Sequence, residues 1–195
     1  MTEQELQQLL SPKAGVDPAL FHYYEGLKKR SFYFTEEVDS YMLETVGIPL
    51  MEADKKDPET PITIYINTPG GDVFSGFAIC NIIENLKAPT TIVVLGYAYS
   101  MGAMMLIAGA NKPNIKRQAY KFSTGLIHGG SSLISGTSSQ VKDFYKFQER
   151  FEKQIEEFVI ERTTLTEEEY QKVDREELYM TSQEMLDKGL IDEIV

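Results

Sequence analysis

The sequence contains very few of the residues that build covalent or metal-held frameworks. It has one cysteine, Cys80, which excludes an internal disulfide and a multi-cysteine metal site. Cys80 lies within an apolar, helically spaced run, and this context predicts a small buried side chain. There are two histidines, His22 and His128. Any mechanism that needs an imidazole must therefore use one of these two residues.

Positive charge is also scarce. The 195 residues include 19 Lys and Arg against 30 Asp and Glu, which gives a net charge of −11. The longest basic cluster, Lys28-Lys29-Arg30, is too short to form a basic face. This balance argues against a nucleic-acid partner and against binding to an anionic membrane surface.

Long apolar runs are absent as well. No stretch approaches the roughly 18 apolar residues that a transmembrane helix needs. The polar start, MTEQELQQLL, lacks the apolar centre of a signal peptide. We therefore expect a cytoplasmic protein with no membrane partner.

The sequence does contain alternating β-type and helical patterns, which are typical of a parallel sheet covered by helices. Its length fits one ordinary domain. We predict a polar N-terminal arm over residues 1–29, with a short helix at 19–29, and a domain over residues 30–195. Predicted strands cover residues 31–34, 62–67, 90–96, 121–128 and 190–195. Predicted helices cover residues 38–54, 76–88, 101–110 and 140–163, and capping boxes at Thr166/Glu169 and Thr181/Glu184 begin two shorter ones, the second ending at Gly189.

The predicted helix over residues 140–163 is strongly amphipathic. Its apolar side chains recur at three- and four-residue spacing, which places them on one face. Two interpretations stay open for this face: part of the domain core, or a surface for self-association. The face consists of Phe144, Phe147, Phe151, Ile155 and Phe158.

The segment LGYAYSMGAMM (residues 95–105) places Ser100 between a β run and an apolar helix. At such a junction the hydroxyl lies at the carboxyl edge of the sheet, where α/β proteins bind ligands. The amide of Met101 would lie at the helix N-terminus, where it can donate to an oxyanion. Gly102 matches half of the G-x-S-x-G elbow, whereas Ala98 replaces its first glycine. The alternative is a serine that only caps a buried helix.

Two further segments point to the same edge. TPGGD (residues 68–72) follows a predicted strand, and its glycines let the backbone approach a ligand, so Gly71 is a candidate second oxyanion donor. No Gly-Lys-Ser/Thr follows, which excludes a phosphate loop. His128 ends an apolar strand and is a candidate general base for Ser100. The alternatives are an ordinary tight turn and a structural histidine.

Four segments together resemble ClpP, the family of proteolytic subunits of the ATP-dependent Clp protease, within the wider ClpP/crotonase fold. From about Arg30 to the C-terminus they occur in the family's order and with near-family spacing: YINTPGGDVFSGFAI, GYAYSMGAMMLIAGA, LIH and MTSQEMLDKGLIDEIV. The resemblance implies an α/β fold of repeated β-β-α units, with a parallel sheet and a long protruding handle helix at about residues 140–163.

The resemblance also implies the roles of the site residues. Ser100 is then the nucleophile and His128 the general base, while the amides of Gly71 and Met101 form the oxyanion hole. The family works without a cofactor or a metal, as homo-oligomeric rings, heptameric or stacked into a tetradecamer. Its rings enclose a chamber into which an AAA+ unfoldase feeds polypeptide substrates.

The third member of the triad differs from the family. A gapless count back from MTSQEM reaches Glu177 where the family has an aspartate, and Asp174 is the fallback. Glu176-Glu177 also replaces an Arg-Asp pair that joins rings in the family, and Gly129-Gly130 replaces Gln-Pro after the histidine. Tyr65 keeps one of two aromatic positions where unfoldase loops dock. We therefore expect a divergent member.

These observations predict a serine endopeptidase that hydrolyses unfolded polypeptides or peptides inside a ring chamber. A crotonase-type acyl-CoA enzyme would share the fold and the two-amide oxyanion hole, but no basic residue flanks the glycine loop to bind CoA phosphates. A non-catalytic ring or scaffold subunit would be expected to lack Ser100 or His128. A phage maturation protease would apply the same chemistry to another client.

Overall fold

A single mixed sheet organises the molecule. The computed structural model describes residues 18–130, 134–173 and 175–195, with side chains from residue 22 onward. Within these ranges seven strands form one sheet. The strands are β1 (Ser31–Phe34), β2 (Ile62–Thr68), β3 (Thr90–Tyr99), β4 (Ile115–Ala119), β5 (Thr124–Ile127), β6 (Leu178–Thr181) and β7 (Glu193–Ile194).

The predicted parallel sheet is confirmed. Strands β1, β2, β3, β4 and β7 lie side by side in that order, and each neighbouring pair is parallel. Side chains of β2 alternate strictly between buried and half-buried positions along the strand. The fold is therefore of the α/β class expected from the alternating sequence pattern.

Strand β3 changes partner along its length, and this change creates the edge where the candidate site lies. Residues 90–94 pair with β4, whereas residues 97–99 pair with residues 124–126 of β5. Strand β6 then pairs with β5 in the antiparallel sense. The ends of β3 and β5 and the start of β6 consequently meet at one edge.

Helices pack on the sheet, and α5 lies at the centre of the core. The helices are α1 (Pro18–Lys28), α2 (Ser40–Met42), which continues through a π-helical turn (Leu43–Gly47) into α3 (Ile48–Lys56), α4 (Val73–Glu84), α5 (Met101–Ile107), α6 (Ser138–Arg162), α7 (Glu167–Lys172) and α8 (Ser182–Asp187). Every residue of α5 is buried, as its all-apolar sequence predicts. Cys80 of α4 is also buried, as predicted, and burial raises the pKa of its thiol.

The long helix α6 is anchored at its C-terminal end and exposed along its first half. It begins with a capping box between Thr137 and Gln140. Near its end, the Arg162 guanidinium forms an ion pair with Glu84 and lies 4.1 Å from the ring centre of Phe158. Most residues from 142 to 150 are exposed. The helix therefore has the protruding form of the predicted handle.

Both predicted capping boxes after α6 are confirmed, and Gly189 ends α8 with a φ of 73°. The C-terminal segment is fixed to the sheet by Arg117, whose side chain is buried. Its guanidinium donates to Asp192 at 2.6 Å and to the Gly189 carbonyl at 2.8 Å. This pairing satisfies a cation that would otherwise be costly to bury.

Several predicted boundaries are wrong. The predicted helix 101–110 ends at residue 107, the predicted strand 121–128 shortens to β5, and the predicted closing strand 190–195 shortens to β7. Strand β4 was missed because charged and polar residues interrupt its apolar pattern. Strand β6 was missed because it has only four residues, LYMT, and directly follows an acid-rich segment. Strand β3 continues three residues past its predicted end. Gly96 resembles a strand terminator, but here it permits a close approach: a Cβ there would lie 2.7 Å from Asn67 Oδ1.

Candidate active site

Three neighbouring strands bring the predicted catalytic residues to one edge of the sheet. Ser100 directly follows β3, and its N–H donates to the Leu126 carbonyl of β5 at 2.9 Å. His128 directly follows β5, and Glu177 directly precedes β6. Strands β5 and β6 are antiparallel and pair Ile127 with Leu178. The residue after Ile127, His128, therefore lies opposite the residue before Leu178, Glu177.

Ser100 has a strained backbone and does not act as a side-chain cap. Its φ is 53° and its ψ is −118°, a conformation that residues other than glycine rarely adopt. Its carbonyl accepts from the N–H groups of Ala103 and Met104, so its backbone begins α5, but its hydroxyl makes no cap hydrogen bond. The cap alternative is therefore wrong for the side chain. Strain of this kind concentrates at functional sites, and a sharp strand-to-helix turn is also the setting of a nucleophile elbow.

The glycine loop packs directly against the Ser100 junction. Gly70 has a φ of 92°, and a Cβ added to it would lie 2.7 Å from Ser100 Cβ and 2.9 Å from the Met101 nitrogen. Contacts this short are available to glycine alone. The loop is thus more than an ordinary tight turn, because its backbone closely approaches the residue predicted to be the nucleophile.

The neighbouring residue, Gly71, is held in a defined orientation. The Val38 N–H donates to the Gly70 carbonyl at 2.8 Å, and the Asp72 N–H donates to the Val38 carbonyl at 2.6 Å. In this parallel bridge the N–H of Gly71 itself points away from Val38. Asp72 caps α4 by accepting a hydrogen bond from the Ser75 N–H. Hydrogen bonds from the Ser75 hydroxyl and from its N–H lower the pKa of Asp72.

Met101 provides the first N–H of α5. The first amides of a helix lack partners in the preceding turn and lie at its positive end. The buried Met101 side chain packs so closely on Gly76 of α4 that a Cβ there would overlap Met101 Cε. On the β2 side, a Cβ at Gly102 would lie 2.6 Å from Thr68 Cγ2. Helix α5 is therefore packed tightly against both β2 and α4 at the point where its N-terminus faces the site.

His128 and Glu177 face each other across the β5–β6 pair. Nδ1 of His128 is 3.7 Å from Oε1 of Glu177, which is ion-pair distance for a protonated imidazole but too long for a hydrogen bond. Their side chains are 31% and 54% exposed, so neither is buried. The fallback acid, Asp174, lies outside the described residues.

Ser100 and His128 both line a cleft of about 730 Å³. One wall is a series of stacked phenylalanine rings that runs from α4 to α6. Phe74 stacks on Phe151 with ring centres 5.6 Å apart, and Phe151 stacks on Phe147 at 5.7 Å. The cleft lining also includes three acidic residues of α6: Glu149, Glu152 and Glu156. The amphipathic face of α6 therefore serves both as core near Phe158 and as a cleft wall near Phe147.

Two residues of this site were not identified from the sequence. Phe74 lies two residues after the TPGGD segment and is 58% exposed, and it supplies the link between the loop and the phenylalanine wall. Tyr179 lies two residues after Glu177 on the same face of β6. Its position follows only from the antiparallel pairing of β6, a strand that the sequence pattern did not reveal.

Comparisons with known proteins agree with this architecture. The Clp protease family matches residues 18–195. A relative from Deinococcus radiodurans, described as "ATP-dependent Clp protease proteolytic subunit", is 31% identical over 173 residues, which cover 89% of this chain and 83% of the relative. This chain belongs to the Clp protease family.

Family membership establishes a peptidase and favours that interpretation over an acyl-CoA enzyme. The family match begins at residue 18 and so includes α1, which precedes the predicted domain start. The division into an arm over residues 1–29 and a domain over 30–195 stays a prediction. Among the helices of the described ranges, none has the length and apolarity required to cross a membrane. The cytoplasmic location also stays a prediction.

Proposed function

We propose that this chain is a serine-type endopeptidase in which Ser100 is the nucleophile and His128 the general base. The amides of Gly71 and Met101 then form the oxyanion hole. The observation that carries the proposal is the Ser100 backbone, held at positive φ between β3 and α5, with a glycine loop in contact on one side and His128 at the end of the adjacent strand. This is the arrangement that serine hydrolases need.

The proposed reaction follows from the orientation of these groups. The Ser100 hydroxyl attacks the scissile carbonyl, and His128 accepts its proton and later gives it to the leaving amine. Because Nδ1 of His128 faces Glu177, Nε2 is the nitrogen available for this transfer. Water then attacks the acyl-enzyme, and His128 again moves the proton. The negative charge on the tetrahedral oxygen is stabilised by the two amides, each of which contributes about 10²–10³-fold to kcat in comparable sites.

The substrates we propose are unfolded polypeptides. The cleft beside Ser100 is bounded by exposed aromatic rings, and such a surface favours the apolar side chains that unfolded chains display. The cleft lies beside the exposed first half of α6, and such a solvent-accessible cleft suits an extended chain.

We further propose that the protein works as stacked rings. Phe144 and Phe147 are each 40% exposed on the protruding half of α6, and their rings are 6.2 Å apart. Exposed aromatic side chains grouped on a projecting helix are costly in a monomer, and contact with another subunit would cover them. The closed chamber that results would restrict access to the site.

An unfoldase partner is also part of the proposal. The exposed face of the sheet carries Tyr33 of β1 stacked on Tyr65 of β2, with ring centres 5.0 Å apart, and Tyr120 nearby after β4. Tyr33 and Tyr120 are 42% and 46% exposed. Burial raises the pKa of Tyr65, and Tyr33 and Tyr120 add to the effect. Such a patch suits an apolar docking loop; Tyr33→Ser with Tyr65→Ser should preserve peptide hydrolysis but abolish unfoldase-driven protein degradation.

The test of serine-type chemistry is hydrolysis of a fluorogenic peptide by the wild type, by Ser100→Ala and by the control Ser139→Ala. Ser139 is exposed in the first turn of α6. We expect Ser100→Ala to lose at least about 10³-fold in kcat/KM, because the nucleophile is removed, while Ser139→Ala keeps wild-type activity. Retained hydrolysis in a folded Ser100→Ala protein would refute the proposal. An inactive wild type in an assembled sample would support a non-catalytic subunit instead.

A further inference from the structure

A row of three side chains lies directly beneath the proposed triad. The register pairs Tyr99 of β3 with Leu126 of β5, and Leu126 with Tyr179 of β6. Directly paired residues point to the same face of a sheet. The three residues are thus a platform, one position below Ser100 and two below His128 and Glu177 along their strands.

The two tyrosines of this platform contact each other across Leu126. Their ring centres are 6.0 Å apart in an edge-to-face arrangement. The Tyr99 hydroxyl shares a hydrogen bond of 2.9 Å with Thr124 Oγ1, which fixes the Tyr99 ring. The ring of Tyr179 therefore rests against an anchored neighbour, although 57% of the residue is exposed.

We propose that Tyr179 is a positioning residue that holds the Glu177 carboxylate against Nδ1 of His128 through its phenolic hydroxyl. Tyr179 and Glu177 are two residues apart and project from the same face, so the hydroxyl and the carboxylate lie within reach. This inference rests on the proposed serine-type function, and it adds a fourth residue to the three predicted for the triad.

The chemistry of the acid explains why such a residue is needed. Glutamate has one more rotatable bond than the aspartate that the family pattern has at this position, and Glu177 is more than half exposed. A carboxylate on a longer exposed side chain loses more rotamer freedom when it is fixed beside an imidazole. A hydrogen bond from Tyr179 restricts it. Consistent with their proximity on one face, hydrogen bonding to the Glu177 carboxylate, followed by its charge and by burial, raises the pKa of Tyr179.

The experiment compares Tyr179→Phe with the wild type in peptide hydrolysis. Phenylalanine keeps the ring and its contact with Tyr99 but removes the hydroxyl. We expect kcat to fall several-fold, up to about tenfold, with little change in KM, because an orienting hydrogen bond is lost. Tyr97→Phe is the control: Tyr97 also packs against Tyr99, with ring centres 5.0 Å apart, but lies outside the platform row. It should keep wild-type kcat.

A double-mutant cycle separates positioning from packing. In a Glu177→Ala background, Tyr179→Phe should have no further effect on kcat, because the carboxylate that it orients is gone. An equal loss in both backgrounds would overturn the proposal, as would wild-type kcat in Tyr179→Phe. Failure of the proposed function gives a different result: the wild type itself would be inactive.

The contact also has a readout that does not depend on activity. Titration of Tyr179 by NMR with ¹³C-labelled tyrosine should show its pKa move down toward the ordinary value in Glu177→Ala. An unchanged titration would show that Glu177 and Tyr179 do not interact, and would overturn the inference even if the enzyme is active.

Discussion

Replacing Gly70 with alanine should test the contribution of the proposed oxyanion hole to catalysis without replacing Ser100 or His128. An added Cβ would lie 2.7 Å from Ser100 Cβ, 2.7 Å from the Tyr99 carbonyl and 2.9 Å from the Met101 nitrogen. These atoms are backbone or directly attached to it, so they cannot move aside as a flexible side chain would. The loop itself must retreat by roughly 0.7 Å to lengthen the 2.7 Å contacts to the 3.4 Å at which ordinary contact begins.

Two effects should follow from Gly70→Ala. Alanine at a φ of 92° is strained, so we expect a loss of about 1–3 kcal/mol in the free energy of unfolding. The retreat also carries the Gly71 N–H away from the tetrahedral oxygen. Loss of one oxyanion donor costs about 10²–10³-fold in kcat, and a displacement of this size is enough to weaken that donor.

Gly130→Ala is the matched control for this prediction. Gly130 lies two residues after His128 and lines the same cleft, but no described atom would come within 4 Å of its added Cβ. We expect its kcat/KM and its melting temperature to stay near those of the wild type. Both variants are assayed with a fluorogenic peptide and by thermal unfolding. A folded Gly70→Ala protein with the same kcat as Gly130→Ala would refute the role assigned to the loop.

Three further predictions concern the triad acid, the rings and pH. Glu177→Ala should lower kcat by about 10²–10⁴-fold, because His128 loses its orienting carboxylate, while Glu176→Ala changes kcat little; equal losses in the two would exclude Glu177 as the acid. Phe147→Ser should shift the assembly toward smaller species in light scattering, while Tyr145→Ser, an exposed aromatic off the apolar face, should not; identical profiles would count against that face as the ring contact. The pKa of Glu169 is lowered from 4.5 to about 2, mainly by a hydrogen bond from Lys188. Because the folded pKa is the lower one, the stability advantage over Glu169→Gln should be full at neutral pH and should disappear as the pH falls from 4.5 to about 2; an advantage that persists at pH 2 would contradict this linkage.

The sequence pattern predicted the parallel sheet because its central strands are continuous apolar runs. It also predicted the buried α5, since that segment is apolar on every side. Strand β4, which lies between β3 and β7, escaped prediction for the converse reason. Strand β4 carries Lys116 and Arg117, whose charges are compensated by Glu193 and Asp192, about 75 residues later in the chain. No local pattern can reveal such pairing.

In the candidate site, too, the sequence revealed features with a local pattern and missed those that depend on distant contacts. Ser100, Gly71 and His128 were found because each lies at a junction with its own local signature of strand end, glycine or helix start. The strain at Ser100 was not predictable, because positive φ at a serine is imposed by the contacts of Gly70 and by the Leu126 hydrogen bond. Glu177 was reached by counting alone, and its position opposite His128 depends on the antiparallel β5–β6 pair.

Labelling with a fluorophosphonate probe followed by peptide mapping tests the account most directly, because the probe reacts with a serine activated by a general base and an oxyanion hole. The account predicts a single adduct on Ser100 in the assembled wild type, and a strongly reduced rate of labelling in His128→Ala. A wild type that cleaves peptides while its adduct forms on another serine, or that forms no adduct, would contradict the assignment of Ser100 as the nucleophile.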